Sequence, residues 1–216
     1  MTFRHWAGVG LVAVAVTGCG AEKVDYQSVW STSPTTTTTT TTASGAPVPI
    51  AKYLEDSGVT GEPVAPQQLT DLTVTMPQPK GWQQYNNPNM APGTQMIAKG
   101  DTYPTATLIV FKLKGDFDVT EAIKHGYVDA ELSQNFHRLN ASMDNWRGFP
   151  SAMIEGSYDL NGARMHSYNR IVIPTTAPPA NQRYLIQFTV TGFAEKAAEQ
   201  ATDIEAVIKG FDVKLK

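Results

Sequence analysis

Around the pair Asn161–Gly162 the chain sets a carboxylate, an imidazole and guanidinium groups at spacings that could bring them together. The runs "SAMIEGSYDL" and "ARMHSYNRIVI" both alternate in polarity. An Asn-Gly pair between them suits a two-residue type I′ turn, because both central residues must take φ > 0. That turn dictates a register: Leu160 opposite Ala163, Asp159 opposite Arg164, Ser157 opposite His166, Glu155 opposite Tyr168 and Met153 opposite Arg170. With a side-chain period of two, Asp159, Ser157, Glu155, Arg164, His166, Tyr168 and Arg170 share one face. Groups roughly 5–8 Å apart there could bind a polar ligand, and Glu155 with His166 could move a proton. The simpler reading is cross-strand ion pairing on a solvated face, at about 0.2–1 kcal/mol per pair.

Few other residues offer chemistry. The sequence holds no GxSxG, HExxH, phosphate-loop or GxGxxG pattern. His125 and His137 fall within one expected helix, about three turns apart, too far to share a metal ion. No metal ligand set and no cofactor are therefore expected. The stretch "PKGWQQYNNPNMAPG" places Trp82 and Tyr85 among prolines and asparagines, where stacked rings and amides could grip a sugar or lipid. The alternative for Trp82 is that it closes one end of the core.

The chain has a single cysteine, Cys19, so it can form neither an internal disulfide nor a CxxC metal site. Ahead of it lie Arg4, His5 and an apolar run over residues 6–16. That run is well short of the ~20 residues that cross a bilayer, and with small residues after it the pattern is that of a signal peptide, residues 1–18. The ending "VTGC" resembles the bacterial lipobox, in which the thiolate attacks a diacylglycerol donor. Thr17 and Val16 depart mildly from the commonest residues there. Cys19 is thus expected to be the lipidated first residue of the exported chain, carrying palmitate-type acyl chains. The alternative is a secreted protein with a stray thiol. Residues 19–49, with the unbroken threonine run 35–42, lack apolar periodicity and are expected to be a disordered linker. A coil of about 30 residues spans roughly 30 Å. Its threonines are possible glycan acceptors, and a bare spacer serves equally.

These residues need a scaffold, and the pattern from residue 50 onward supplies one. About 165 residues can bury near 70% of the unfolded chain's surface, so residues 50–216 are expected to form a single globular domain. The net charge is −3 and no basic patch interleaves with aromatics, which excludes nucleic acid as an expected partner. "AKYLEDSG" predicts a short helix. "DLTVTMP" alternates as a half-buried strand that Pro77 ends, and "TQMIAK" predicts another strand. "TATLIVFKLKG" is apolar on both faces, as a central strand covered on each side must be. Residues 118–139 predict one long helix, capped by Asp118 and with Val119, Ile123, Tyr127 and Ala130 in a stripe. "RYLIQFTVTG" predicts a strand with Tyr184, Ile186, Phe188 and Val190 on one face. "AEKAAEQATDIEAVIKG" predicts an amphipathic helix, and "FDVKL" a last strand. The expected class is α+β, a largely antiparallel sheet with helices on both faces.

The lipobox, the threonine stalk, "LTVTMPQPKGW", "NNPNMAPGT" and "DVTEAI" together resemble the LpqN/LpqT-type lipoproteins of mycobacteria. The resemblance implies the fold shared by PsbP of photosystem II and the transport factor Mog1, an α/β/α sandwich. It implies a lipid-anchored protein on the outer face of the cell membrane, in a fold that usually serves binding or assembly. No catalytic residue is carried over. The expected function is therefore that of a non-enzymatic accessory module for envelope proteins or glycolipids, held to the membrane through Cys19. The alternatives are a lipid carrier or chaperone with an internal apolar cavity, and a hydrolase built on Glu155 and His166.

Overall fold

The doubly apolar run expected to be central is β5 (Thr105–Lys114), buried on both sides from Thr105 to Phe111. In the computed structural model, which describes residues 46–216, β5 pairs along one edge with β9 (Arg183–Phe193). Along its other edge lie β4 (Gln95–Ala98) and β1 (Thr60–Pro63), each against a different half of β5. The expected signal peptide, Cys19 and the threonine run lie outside the described residues. Beyond β9 come β8 (Ala163–Val172), β7 (Ser151–Leu160) and β6 (His137–Ser142); the two-residue β3 (Gln83–Gln84) lies outside β4. The sheet is eight-stranded, in the order β3-β4-β5-β9-β8-β7-β6 with β1 beside β5, and every pairing is antiparallel.

Each face of the sheet buries its own core. Leu108, Val110, Ile186, Phe188 and Val190 point to one side. There they meet Ile204 and Val207 of α4 (Ala197–Gly210), and a two-stranded sheet of β2 (Leu72–Thr75) and β10 (Asp212–Leu215). Ile109, Phe111, Leu113 and Leu185 point to the other side. They pack on Ile50 and Leu54 of α1 (Ile50–Asp56) and on Ala122 and Ile123 of α2 (Val119–Ile123). The α+β class with helices on both faces is as the sequence predicts.

The hairpin register is also as predicted, with Asn161 and Gly162 at φ 50° and 78°. The expected helix over residues 118–139 is not. The Asp118 carboxylate caps α2 by accepting from the N–H groups of Thr120 and Glu121. The chain then turns, forms one further short helix, α3 (Val128–Glu131), and leaves as β6. Two contacts explain the break. A Cβ at Gly126 would sit 2.6 Å from the Ala152 Cβ, so the turn presses directly on β7. Pairing of His137 with Ser157 and of the residues after it with β7 then overrides helical periodicity. His137 is consequently a strand residue, on a different element from His125.

Candidate functional site

The predicted hairpin cluster forms, and its members satisfy one another. Arg164 donates to the Asp159 carboxylate (2.9 Å), to the Ser157 hydroxyl (2.8 Å) and to the Asn135 carbonyl (2.9 Å). Hydrogen bonds from Asn135 and Arg164 hold the Asp159 carboxyl below its ordinary range. His166 Nε2 lies 3.0 Å from Glu155 Oε1. Arg170 donates to the Tyr168 hydroxyl (2.7 Å) and to the Ser151 hydroxyl (2.8 Å), with its guanidinium 5.2 Å from the Trp146 ring. Burial pushes the Tyr168 hydroxyl up from its ordinary value. Tyr168 packs on the core beneath α4. Glu155, His166, Tyr168 and Arg170 are thus brought together as a mutually paired ledge.

The two loop aromatics separate. Trp82 is 3% exposed, within the core on the α4 side, so it closes the core and offers no ring to a ligand. Tyr85 is 41% exposed and lies just beyond β3.

The opposite face holds a cavity that the sequence reading missed. Where β5, β9 and β8 run under α1 and α2, that face is apolar and covered. Toward the other end of the same strands it turns polar. Successive rows across the sheet read Thr107, Thr189, Asn169 and then Thr105, Thr191, Ser167. Thr105, Thr107, Thr191 and Ser167 are buried, and Thr189 and Asn169 half-buried. Against them lies a cleft of about 700 Å³ floored by Thr107, Thr189, Thr191, Ser167, Asn169 and Gln187. Its rim includes Ala51 of α1, Asp129 and Ala130 of α3, Gln134, and Tyr158 near the hairpin turn.

The floor is partly self-bonded. Thr189 donates to Asn169 Oδ1 (3.0 Å), and Asn169 Nδ2 donates to the Ser167 hydroxyl (3.1 Å). Gln187 Oε1 is buried and makes no hydrogen bond. A buried polar atom without a partner costs roughly 1–3 kcal/mol, and a ligand hydroxyl could supply that partner. Among the described residues no group of His, Cys, Asp and Glu is arranged to hold a metal ion. The signal that could have revealed the cleft was in the strand sequences. On β9 the positions facing away from Ile186, Phe188 and Val190 read Leu, Gln, Thr, Thr. A central strand that turns polar on an inward face calls for a covering partner that is itself polar.

Glu155, His166 and Tyr168 project from the opposite face of the sheet and do not line the cavity, whereas Asp159 and Arg170 of the hairpin cluster are among its lining residues.

A family model described as "Probable lipoprotein LpqN" matches residues 46–214. A Mycobacterium tuberculosis H37Rv protein named as lipoprotein LpqT is 57% identical over 208 residues, covering 96% of this chain and 92% of that one. Its namesake in Mycobacterium leprae is 53% identical over 207 residues, covering 96% and 94%. Among solved structures, that of Mycobacterium tuberculosis LpqN, described as involved in cell envelope biogenesis, superposes with a TM-score of 0.65. It is 20% identical and covers 80% of this chain and 99% of that one.

Proposed function

The chain belongs to the LpqN lipoprotein family, and from that membership and the cleft we propose that it is a non-enzymatic accessory module of the cell envelope that binds the sugar headgroup of an envelope glycolipid. Acylated Cys19 holds it on the outer face of the membrane, and residues 50–216 act as one binding domain.

One observation carries this reading: a floor of hydroxyls and amides on central strands whose remaining inward positions are apolar. Polar groups placed there are costly unless they are hydrogen-bonded. Threonine, serine, asparagine and glutamine together offer donors and acceptors without a fixed charge, which is the complement of a polyhydroxylated ligand. Apolar neighbours at the rim, Ala51, Met90 and Leu160, suit the nonpolar face of a sugar ring or the first carbons of an alkyl chain. The filled cores on both faces of the sheet favour this reading over a carrier with an internal apolar cavity. The pairing of Glu155 with His166 away from the cleft weighs against a hydrolase built on them.

The test is calorimetric titration of the protein with n-dodecyl-β-D-maltoside below its micelle concentration, with dodecylphosphocholine as the matched control. Saturable binding of the disaccharide alone is expected, weakened about 2- to 10-fold by Asn169→Leu, the usual contribution of one hydrogen bond. Equal binding of both amphiphiles, or none of the disaccharide, would sink the proposal and direct attention to a protein partner.

A further inference from the structure

The preceding segment of chain joins the domain at one corner of the cleft, and it is held there. His125 donates from Nδ1 to the Val48 carbonyl (2.8 Å). The Asp129 carboxylate accepts from the backbone N–H of Ile50. Pro49, between these two attachments, is a rim residue of the cleft. Asp129 and Leu132 stand three residues apart on α3 and its C-cap, and are therefore neighbours on one side of that turn. The root of the tether and Leu132 thus share a corner of the molecule.

Leu132 is 61% exposed and Leu139 57%, the two most exposed large apolar side chains among the described residues. An ion pair between Arg138 and Glu131 ties the start of β6, and with it the backbone next to Leu139, to α3. The cations of the neighbouring elements are matched within the domain: Arg138 with Glu131, Lys52 with Asp56 and Lys124 with Glu121. Such a patch has no surplus of positive charge to recruit anionic lipid. It fits a neutral surface.

We propose that the domain rests on the leaflet that holds its acyl chains, with Leu132 and Leu139 between the headgroups and the cleft opening at that contact. The inference rests on the anchoring of the chain, not on what the cleft binds. Two leucines alone would hold a free protein weakly. The roughly 30 residues between Cys19 and the domain reach at most about 100 Å, and that confinement raises the effective concentration of a weak second contact. The corner from which the tether leaves is the one that reaches the surface with least extension of the tether. A glycolipid headgroup could then enter the cleft without leaving the membrane plane.

The experiment uses the full acylated chain in phosphatidylcholine vesicles. An environment-sensitive NBD label is placed on Leu132→Cys, Leu139→Cys or, as a control on the α4 side, Leu215→Cys; acylation leaves Cys19 unreactive. The labels at 132 and 139 should brighten at least twofold, shift to the blue and be quenched by lipids bearing a nitroxide on the acyl chain. The label at 215 should behave as in water, and raising the salt should leave all three unchanged. Three water-like labels would overturn the proposal. So would brightening without lipid quenching, because a second copy or another protein would then cover the patch. Loss of the signal at high salt would overturn it too, by making the contact electrostatic. The disaccharide titration is a separate readout, so failure of either reading leaves the other standing.

Discussion

One face of this sheet has two halves built on the same strands. In the half under α1 and α2, Phe111, Leu113, Leu185 and Ile173 are buried against helices. In the other half, Thr107, Thr189 and Asn169 occupy the equivalent inward positions and floor the cleft. Backbone pairing is continuous through both, so the ladder does not make the difference. It comes from what each half offers to a neighbour: apolar surface drives helix packing, and hydroxyl surface does not. The lesson is that a sheet can be core at one end and binding floor at the other without any change of strand.

The largest effect expected is on the covered half. Phe111→Ala should lower stability by about 3–5 kcal/mol, the range for emptying a buried aromatic site, read as a fall in the denaturation midpoint. A loss below 1 kcal/mol would mean that the two halves do not differ in kind. Next comes the boundary between the open half and the sheet edge. A Cβ at Gly156 would overlap the Phe136 ring and lie 2.7 Å from the His137 carbonyl oxygen. Gly156→Ala should therefore cost about 1–3 kcal/mol, the usual penalty for overpacking, and should speed proteolysis near β6. Removing the cap of α2 by Asp118→Ala should cost about 1 kcal/mol while leaving disaccharide affinity unchanged, since α2 covers the apolar half.

Thr189→Val tests the open half from the other side. It removes the hydrogen bond to Asn169, so it should lower stability by only about 0.5–1.5 kcal/mol, and weaken disaccharide binding. A stability loss as large as that of Phe111→Ala would make the floor a structural network. The last test lies on the opposite face and is read at alkaline pH. Burial, and then the hydrogen bond to Asp71, push the Tyr184 hydroxyl up to about 12. The folded state thus holds this proton more tightly than the unfolded chain, where tyrosine titrates near 10. Its contribution is intact below pH 10 and is lost as the pH rises through 12. Tyr184→Phe should remove that alkaline step, and a step that survives would have to come from another group.

Much of the architecture was legible because it is local. The Asn161–Gly162 turn and the alternation beside it dictated every cross-strand pair of the hairpin. The two apolar faces of β5 marked it as central. The segment after Asp118 was misread because its apolar spacing suits a helix, while the contacts that break it, Gly126 on Ala152 and His137 opposite Ser157, come from residues far along the chain. The cleft was missed for a related reason. The hairpin residues were read as a site because their charges announce chemistry, yet they satisfy one another. The threonines and Asn169 announce nothing singly and become a site only as rows across three strands.

The sequence by itself determined the α+β class, the hairpin register and the central place of β5, because each depends on residues close together in the chain. Only the tertiary structure decided that the polar rows floor a cleft, that the root of the tether shares a corner with Leu132, and that Glu155 and His166 sit on the far side of the sheet from that cleft. These are properties of which half of a face a helix reaches, and that depends on packing between residues that no local pattern connects.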